Sequence, residues 1–309
     1  MRAVAQRSIG EKFQDTLFLL KNTYSLLGRN PALLKPVTQI IFVSLILTTL
    51  FWGSILSLFL LTKTVAVGLV GILITFIIYF WSFFYFTELK LRLSWLACTT
   101  ACGTKPAFEQ SQRMADSVGD KIRLIAFIDM FFKYLGSLRN TEEQGIWEAI
   151  KSFLINLIIE GAIEVWDLVN HYLIPAIAID RLTLKAAVVQ IKDLRNHVPS
   201  VLMGVFGIDF VGDVIAWIVA PMYGILIAIA FGVVYLLHVT NPQVMATIII
   251  LLIYIGVISH QILAAIIEAT KIIYFTLFYT VLRHGDQLDT DMKQKANAFL
   301  KFNDAVKYS

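Results

Sequence analysis

Six long apolar stretches recur along this chain, and they leave it few ways to fold. They cover residues 37–61, 64–86, 122–138, 146–174, 201–239 and 244–282. About 20 predominantly apolar residues suffice to carry a helix across the hydrocarbon core of a bilayer. The composition agrees: 58% of residues are hydrophobic, 16% are charged, and the mean hydropathy is +0.73. A soluble domain would carry about 25% charged residues. The expected fold is therefore all-α, a polytopic transmembrane helical bundle of six spans. The last two stretches approach 40 residues each. Unbroken, they would run about 60 Å, twice a hydrocarbon core of about 30 Å. Either they project beyond the lipid, which we favour, or Pro221 and a polar break divide them.

The charges between the stretches set an orientation. Arg2, Arg7, Lys12, Lys21, Arg29 and Lys35 precede the first stretch, and Lys90, Arg92, Lys105, Arg113, Lys121 and Arg123 follow the second. Arg181, Lys185, Lys192 and Arg195 follow the fourth, and Lys293, Lys295, Lys301 and Lys307 fill the tail. The alternate connections hold only Lys63 and Arg139, with none at 240–242. Six spans with both termini cytoplasmic satisfy the positive-inside rule, in a cytoplasmic (inner) membrane. The net charge of +4 follows from this pattern. Because the basic residues are spread over four segments, they do not form a nucleic-acid surface.

The chain then divides into an N-terminal amphipathic region (1–36), the six-span domain (37–283) and a C-terminal cytoplasmic helix within 284–309. The first 35 residues are too polar for a signal peptide. Phe13, Leu17, Leu20, Tyr24 and Leu27 recur at helical spacing, which suits a helix on the inner leaflet or one docked on the protein's own cytoplasmic face. Two amphipathic cytoplasmic connectors are expected at 104–121 and 180–198. Thr104 is the expected N-cap of the first, with Pro106 in its first turn, and Pro199 ends the second.

Within the fourth stretch, Asn156, Glu160, Glu164, Asp167 and His171 recur every three or four residues. Glu160, Glu164, Asp167 and His171 share roughly a 60° arc of one helix. A carboxylate facing lipid there costs about 2.5–3.5 kcal/mol, so the stripe must face protein or water. Asp209 and Asp213 lie at i,i+4 at the start of the fifth stretch with no basic residue near them in sequence. Elsewhere charges pair within a helix: Glu88 with Arg92, Asp129 with Lys133, Glu268 with Lys271. Unpaired acids in a low-dielectric region either take up protons or gather cations. One reading is a cation or proton path through Glu160, Glu164, Asp167, His171, Asp209 and Asp213. The other is a polar interface in an aqueous vestibule or tied to neighbouring helices by hydrogen bonds.

Gly212, Ala216, Ala220, Gly224, Ala228 and Gly232 fall at every fourth position of the fifth stretch. Small residues at this period let helix backbones approach closely, either inside one subunit or at a seam between subunits. Cys98 and Cys102, at i,i+4, match neither a CxxC redox pair nor a zinc pattern, and are expected to act as small apolar packers. His197, His238, His260 and His284 are isolated near stretch ends or in the tail. No metal site is expected, since one helix rarely supplies four ligands to one ion. No phosphate loop, nucleophile elbow, zinc-protease or dinucleotide motif occurs. Neither an enzyme nor a cofactor is expected.

The run IIYFWSFFYFTELKLRLSWLACTTACGTKPAFEQSQRMA resembles a six-span prokaryotic integral membrane protein family known as a domain of unknown function. There, too, an aromatic-rich span leads through small residues and a Gly-x-Lys-Pro turn into an amphipathic helix. The part from Ile159-Glu160-Gly161 through Val165-Trp166 and Ile174-Pro175 to Asp180 resembles that family's fourth span. The resemblance covers residues 68–217 and implies topology alone; Asp180 stands where the family pattern leads one to expect glutamate. The expected function is an oligomeric, channel- or transporter-like membrane protein. The alternative is a structural or accessory scaffold subunit that organises partner proteins or lipid. Expected partners are the lipid bilayer, further copies of the chain and other membrane-complex subunits.

Overall fold

Asn30 fixes where the first apolar helix begins. Its backbone is extended, its side chain accepts a hydrogen bond from the Ala32 amide, and Pro31 follows with its ring suited to a first turn. A 3-10 turn at Pro31–Leu33 feeds α1 (Leu34–Leu60). The Asn30 side-chain amide donates to Thr100 Oγ1 at 3.1 Å and to the Pro106 carbonyl at 3.2 Å. One side chain thus caps a helix and holds a distant turn.

The computed structural model describes residues 25–60, 65–137, 169–193, 224–229, 231–232, 235–236 and 241–294. These are helices and short turns, with no strand among the described residues. After α1 come α2 (Val65–Ala101), α3 (Phe108–Ser117) and α4 (Gly119–Ser137), then α5 (residues 169–180). Next are α6 (Leu184–Asp193) and α7 (Pro242–His284). Three helical segments, Pro31–Leu58, Val65–Ala101 and Val244–Val281, are long and apolar enough to cross a membrane, which marks an integral membrane protein. Their large side chains point outward, as lipid requires; Phe76 and Trp81 on α2 are each 67% exposed.

α7 is a single helix of 43 residues, about 65 Å long. The sixth apolar stretch is therefore unbroken; the fifth, with Pro221, lies mostly outside the described residues. α2 likewise runs well past the apolar end expected near Phe86. It stops at a Schellman turn: Gly103 takes φ +85, its amide donates to Thr100, and the Thr104 amide donates to Thr99. The Thr104 hydroxyl also donates to the Thr99 carbonyl, at 2.6 Å. Thr104 therefore closes α2 instead of opening the next helix. That role falls to Ala107, whose amide donates to Gln110 Oε1 at 3.2 Å. The second connector also starts later than expected. α5 continues to Asp180, Arg181 adopts φ 53, and Thr183 accepts from the Ala186 amide at the head of α6.

The chain forms two compact units. The first comprises Met1–Pro36, Phe83–Val205 and Thr270–Ser309. Its core joins Leu91, Met114, Ile125, Leu173, Ile177 and Tyr279. On α5, residues 172–178 are buried all round, as in a helix enclosed on every side. Arg92 is buried with its guanidinium 4.0 Å from the centre of the Phe108 ring, donating to Glu88 (3.2 Å) and Ser111 (3.4 Å). A planar cation that both stacks and forks in this way ties α2 to α3. The Thr276 hydroxyl donates to Ser94 at 2.7 Å, both fully buried. Asp129 accepts from Asn170 at 3.3 Å, joining α4 to α5; the Lys133 side chain lies outside the described residues. After α7, Asp289 donates its amide to the Ala101 carbonyl and accepts from Arg29, which also pairs with Asp291.

The second unit comprises Val37–Ser82 and Phe206–Ala269. Here α1 and α2 approach closely at small residues. A Cβ placed on Gly71 would clash with the Ser54 hydroxyl and lie 3.1 Å from Ser54 Cβ, and one on Gly68 would clash with Leu58. The hydroxyls of Thr49 and Tyr254 meet at 2.7 Å, giving α1 and α7 a polar tie where water is scarce.

Candidate functional site

The last residue of α5 gathers polar side chains from two further helices, α6 and α7. Asp180 ends α5 because the left-handed Arg181 turns the chain away, leaving the carboxylate at a helix terminus. α7 presents Tyr279, Arg283 and His284 over its last two turns, and α6 presents Gln190. The Tyr279 hydroxyl donates to Asp180 Oδ2, and His284 Nε2 lies 2.8 Å from Asp180 Oδ1, so both carboxylate oxygens are engaged. With its amide oriented to satisfy every partner, Gln190 donates to the Tyr279 hydroxyl at 2.9 Å. Its oxygen then accepts from Arg283 Nε and Nη2 at 3.1 Å. The five side chains form one hydrogen-bonded sequence, from Arg283 through Gln190, Tyr279 and Asp180 to His284.

The site is partly open: His284 and Asp180 keep 21% and 23% of their side-chain surface exposed. Water therefore reaches the imidazole, while Tyr279, in the middle of the sequence, is buried. Such a chain can pass a proton between an exposed and a shielded group, or it can lock three helices together by charge-assisted bonds. On its inner side Cys98 is within hydrogen-bonding reach of Cys102 and Thr280. The Cys98 hydrogen bond pulls the Cys102 thiol down to about 7, against the opposing effect of burial. The cysteine pair thus has polar partners as well as the packing role expected for it. Among the described residues, no group of three or more His, Cys, Asp or Glu is arranged to hold a metal.

Of the acidic-stripe residues, only His171 is among the described residues; Glu160, Glu164, Asp167, Asp209 and Asp213 lie outside them. His171 is buried with its ring centre 4.9 Å from that of Phe275, so this part of the stripe faces α7. Nine residues separate His171 from Asp180, which places them on opposite sides of α5, roughly 180° apart. The Asp180 site is therefore not a direct extension of the stripe's face. In the small-residue ladder, Gly212, Ala216 and Ala220 lie outside the described residues. Gly224 and Ala228 are exposed and Gly232 is half-buried; a Cβ on Gly224 or Gly232 meets no atom within 4 Å.

Reading the sequence missed Asp180, Gln190, Tyr279, Arg283 and His284 as a site, and treated His284 as an isolated histidine. The one local signal was the Tyr279-x3-Arg283-His284 spacing at the end of the last apolar stretch. Asp180 is 104 residues from His284, so no pattern along the chain connects them. Comparison of the chain with protein-family models, curated proteins and solved structures finds no match.

Proposed function

We propose that this is a six-span, channel- or transporter-like membrane protein that assembles as an oligomer and moves a proton or small cation. The observation that carries this reading is the Asp180–Tyr279–His284 chain of titratable groups, which is half open to water. It sits at one end of α5, which carries His171, and Glu160, Glu164 and Asp167 precede it in sequence. Acids within an apolar span must face protein or water and are candidates for an ion or proton pathway. The small-residue ladder, exposed at Gly224 and Ala228, supplies a face on which copies of the chain can meet.

The test is flux in liposomes. The wild-type protein is expected to carry protons or a small monovalent cation. Converting Glu160, Glu164 and Asp167 to their amides should bring flux to background while the protein stays folded. A wild-type protein that moves no small cation or proton overturns this reading.

The orientation is tested separately, by cysteine-accessibility labelling at positions 63, 142 and 241. All three are expected on the non-cytoplasmic side, and labelling of any one from the cytoplasm overturns six spans.

A second reading, a structural scaffold, is favoured by one observation. Residues 172–178 of α5 are sealed on all sides, and Asp129 and Asp180 are each held by hydrogen bonds within the packed unit. In that case the amide substitutions leave transport at background and change stability instead.

A further inference from the structure

α4 is apolar on two opposite faces. Its inner face carries Ile122, Ile125, Ala126 and Asp129, all buried. Its outer face is apolar as well, with Leu124, Phe127 and Phe131 47%, 56% and 51% exposed, as suits a helix that meets lipid. Spaced at i, i+3 and i+7, these three fall within roughly a 60° arc opposite the buried face. Water would disfavour such a stripe, whereas acyl chains would cover it.

The stripe is headed by cations. Lys121 lies in the first turn of α4 and Arg123 just after it, and the Lys121 ammonium donates to the Arg181 carbonyl at 2.6 Å. That bond brings the α5–α6 turn alongside, and the exposed Arg181 with it. Asp120 is the acidic group in the same turn; it pairs with Arg123 at 3.8 Å and leaves the patch net positive. α6 repeats the order on a smaller scale: exposed Lys185 in its first turn is followed by exposed Val188 and Val189.

We propose that the outer face of α4 and the Arg181 turn form a binding site for an anionic phospholipid of the bilayer. Lys121, Arg123 and Arg181 hold the phosphate-bearing headgroup, and Leu124, Phe127 and Phe131 contact its acyl chains. Charge complementarity and the order of the side chains select this occupant. A cationic turn leading directly into an apolar stripe about 10 Å long reproduces the layering of one lipid leaflet. A soluble anion would leave the stripe uncovered, and an apolar peptide would leave the cations without a partner.

The experiment uses full-length protein in neutral detergent, titrated with dioleoylphosphatidylglycerol or dioleoylphosphatidylcholine and read by native mass spectrometry. Wild type is expected to retain the anionic lipid on the order of tenfold better. The triple variant Lys121→Gln, Arg123→Gln, Arg181→Gly should lose that preference; glycine suits the left-handed position, so the turn is kept. Arg181→Gly alone should reduce the preference severalfold, which keeps the test informative if the triple variant does not fold. Phe127→Ser with Phe131→Ser should weaken both lipids alike. Equal retention of the two lipids by wild type overturns the proposal, as does a preference unchanged in the charge variants. Full competition by inorganic phosphate at millimolar concentration also overturns it, since the site would then take a free anion.

Discussion

Replacing Gly71 with leucine is expected to abolish the packing of α1 against α2 and to lower sharply the yield of folded protein. A Cβ alone at this position runs into the Ser54 side chain, and the rest of a leucine has nowhere to go without separating the helices. Overpacking of this kind typically costs about 1–3 kcal/mol. The cost belongs at the upper end here, because the neighbouring Gly68 makes an equally close approach to Leu58. Gly71→Ala should already be measurable as a lower unfolding temperature in detergent. Gly224→Leu is the contrasting case: a Cβ there meets nothing within 4 Å, so the monomer should keep its stability. If Gly224 lies on an oligomer seam, its effect appears in particle size by light scattering. Equal loss of folded protein from both substitutions would show that the Gly71 contact is not special.

Asp180→Ala is the second large effect, and it should destabilise the protein by about 1–3 kcal/mol. The substitution removes the acceptor for both the Tyr279 hydroxyl and His284, and with it the centre of the hydrogen-bonded sequence that joins α5, α6 and α7. Tyr279 suffers most, because it is buried and its hydroxyl proton would lose its acceptor, Gln190 being a donor to it. Tyr279→Phe leaves the Asp180–His284 pair in place and should cost less, about 1 kcal/mol. His284 can turn to water, so His284→Gln should be the mildest of the three. Thermal unfolding in detergent would establish the order Asp180→Ala, then Tyr279→Phe, then His284→Gln. If proton or cation flux also falls in Asp180→Ala while a substitution of matched stability cost, such as Thr276→Val, leaves it intact, the site serves transport as well as structure.

The sequence alone determined the membrane class and the existence and approximate start of α1, α2 and α7. Those are set by hydropathy and by local chemistry. A run of apolar residues long enough to span has one low-energy state in lipid, a helix. The Glu88–Arg92 pair was equally legible, since i,i+4 spacing brings the two together on any helix.

Partners distant in the chain decided the rest. α2 passes beyond Phe86 with Arg92 buried, and Phe108 and Ser111, one stacking and the other accepting, supply the partners that a buried cation needs. Thr104 went to the end of α2 because Gly103 takes φ +85 there, which turns both the amide and the hydroxyl of Thr104 toward Thr99. The small-residue ladder drew attention by its period, yet the close helix approach the structure describes is at Gly68 and Gly71, on a different pair of helices. Period reveals which residues could allow two backbones to approach; only the tertiary arrangement puts a second backbone beside them. Asp180 and His284 show the same limit at the site. Neither is unusual in its own stretch, and the 2.8 Å contact between them exists because two helices distant in sequence end at the same place.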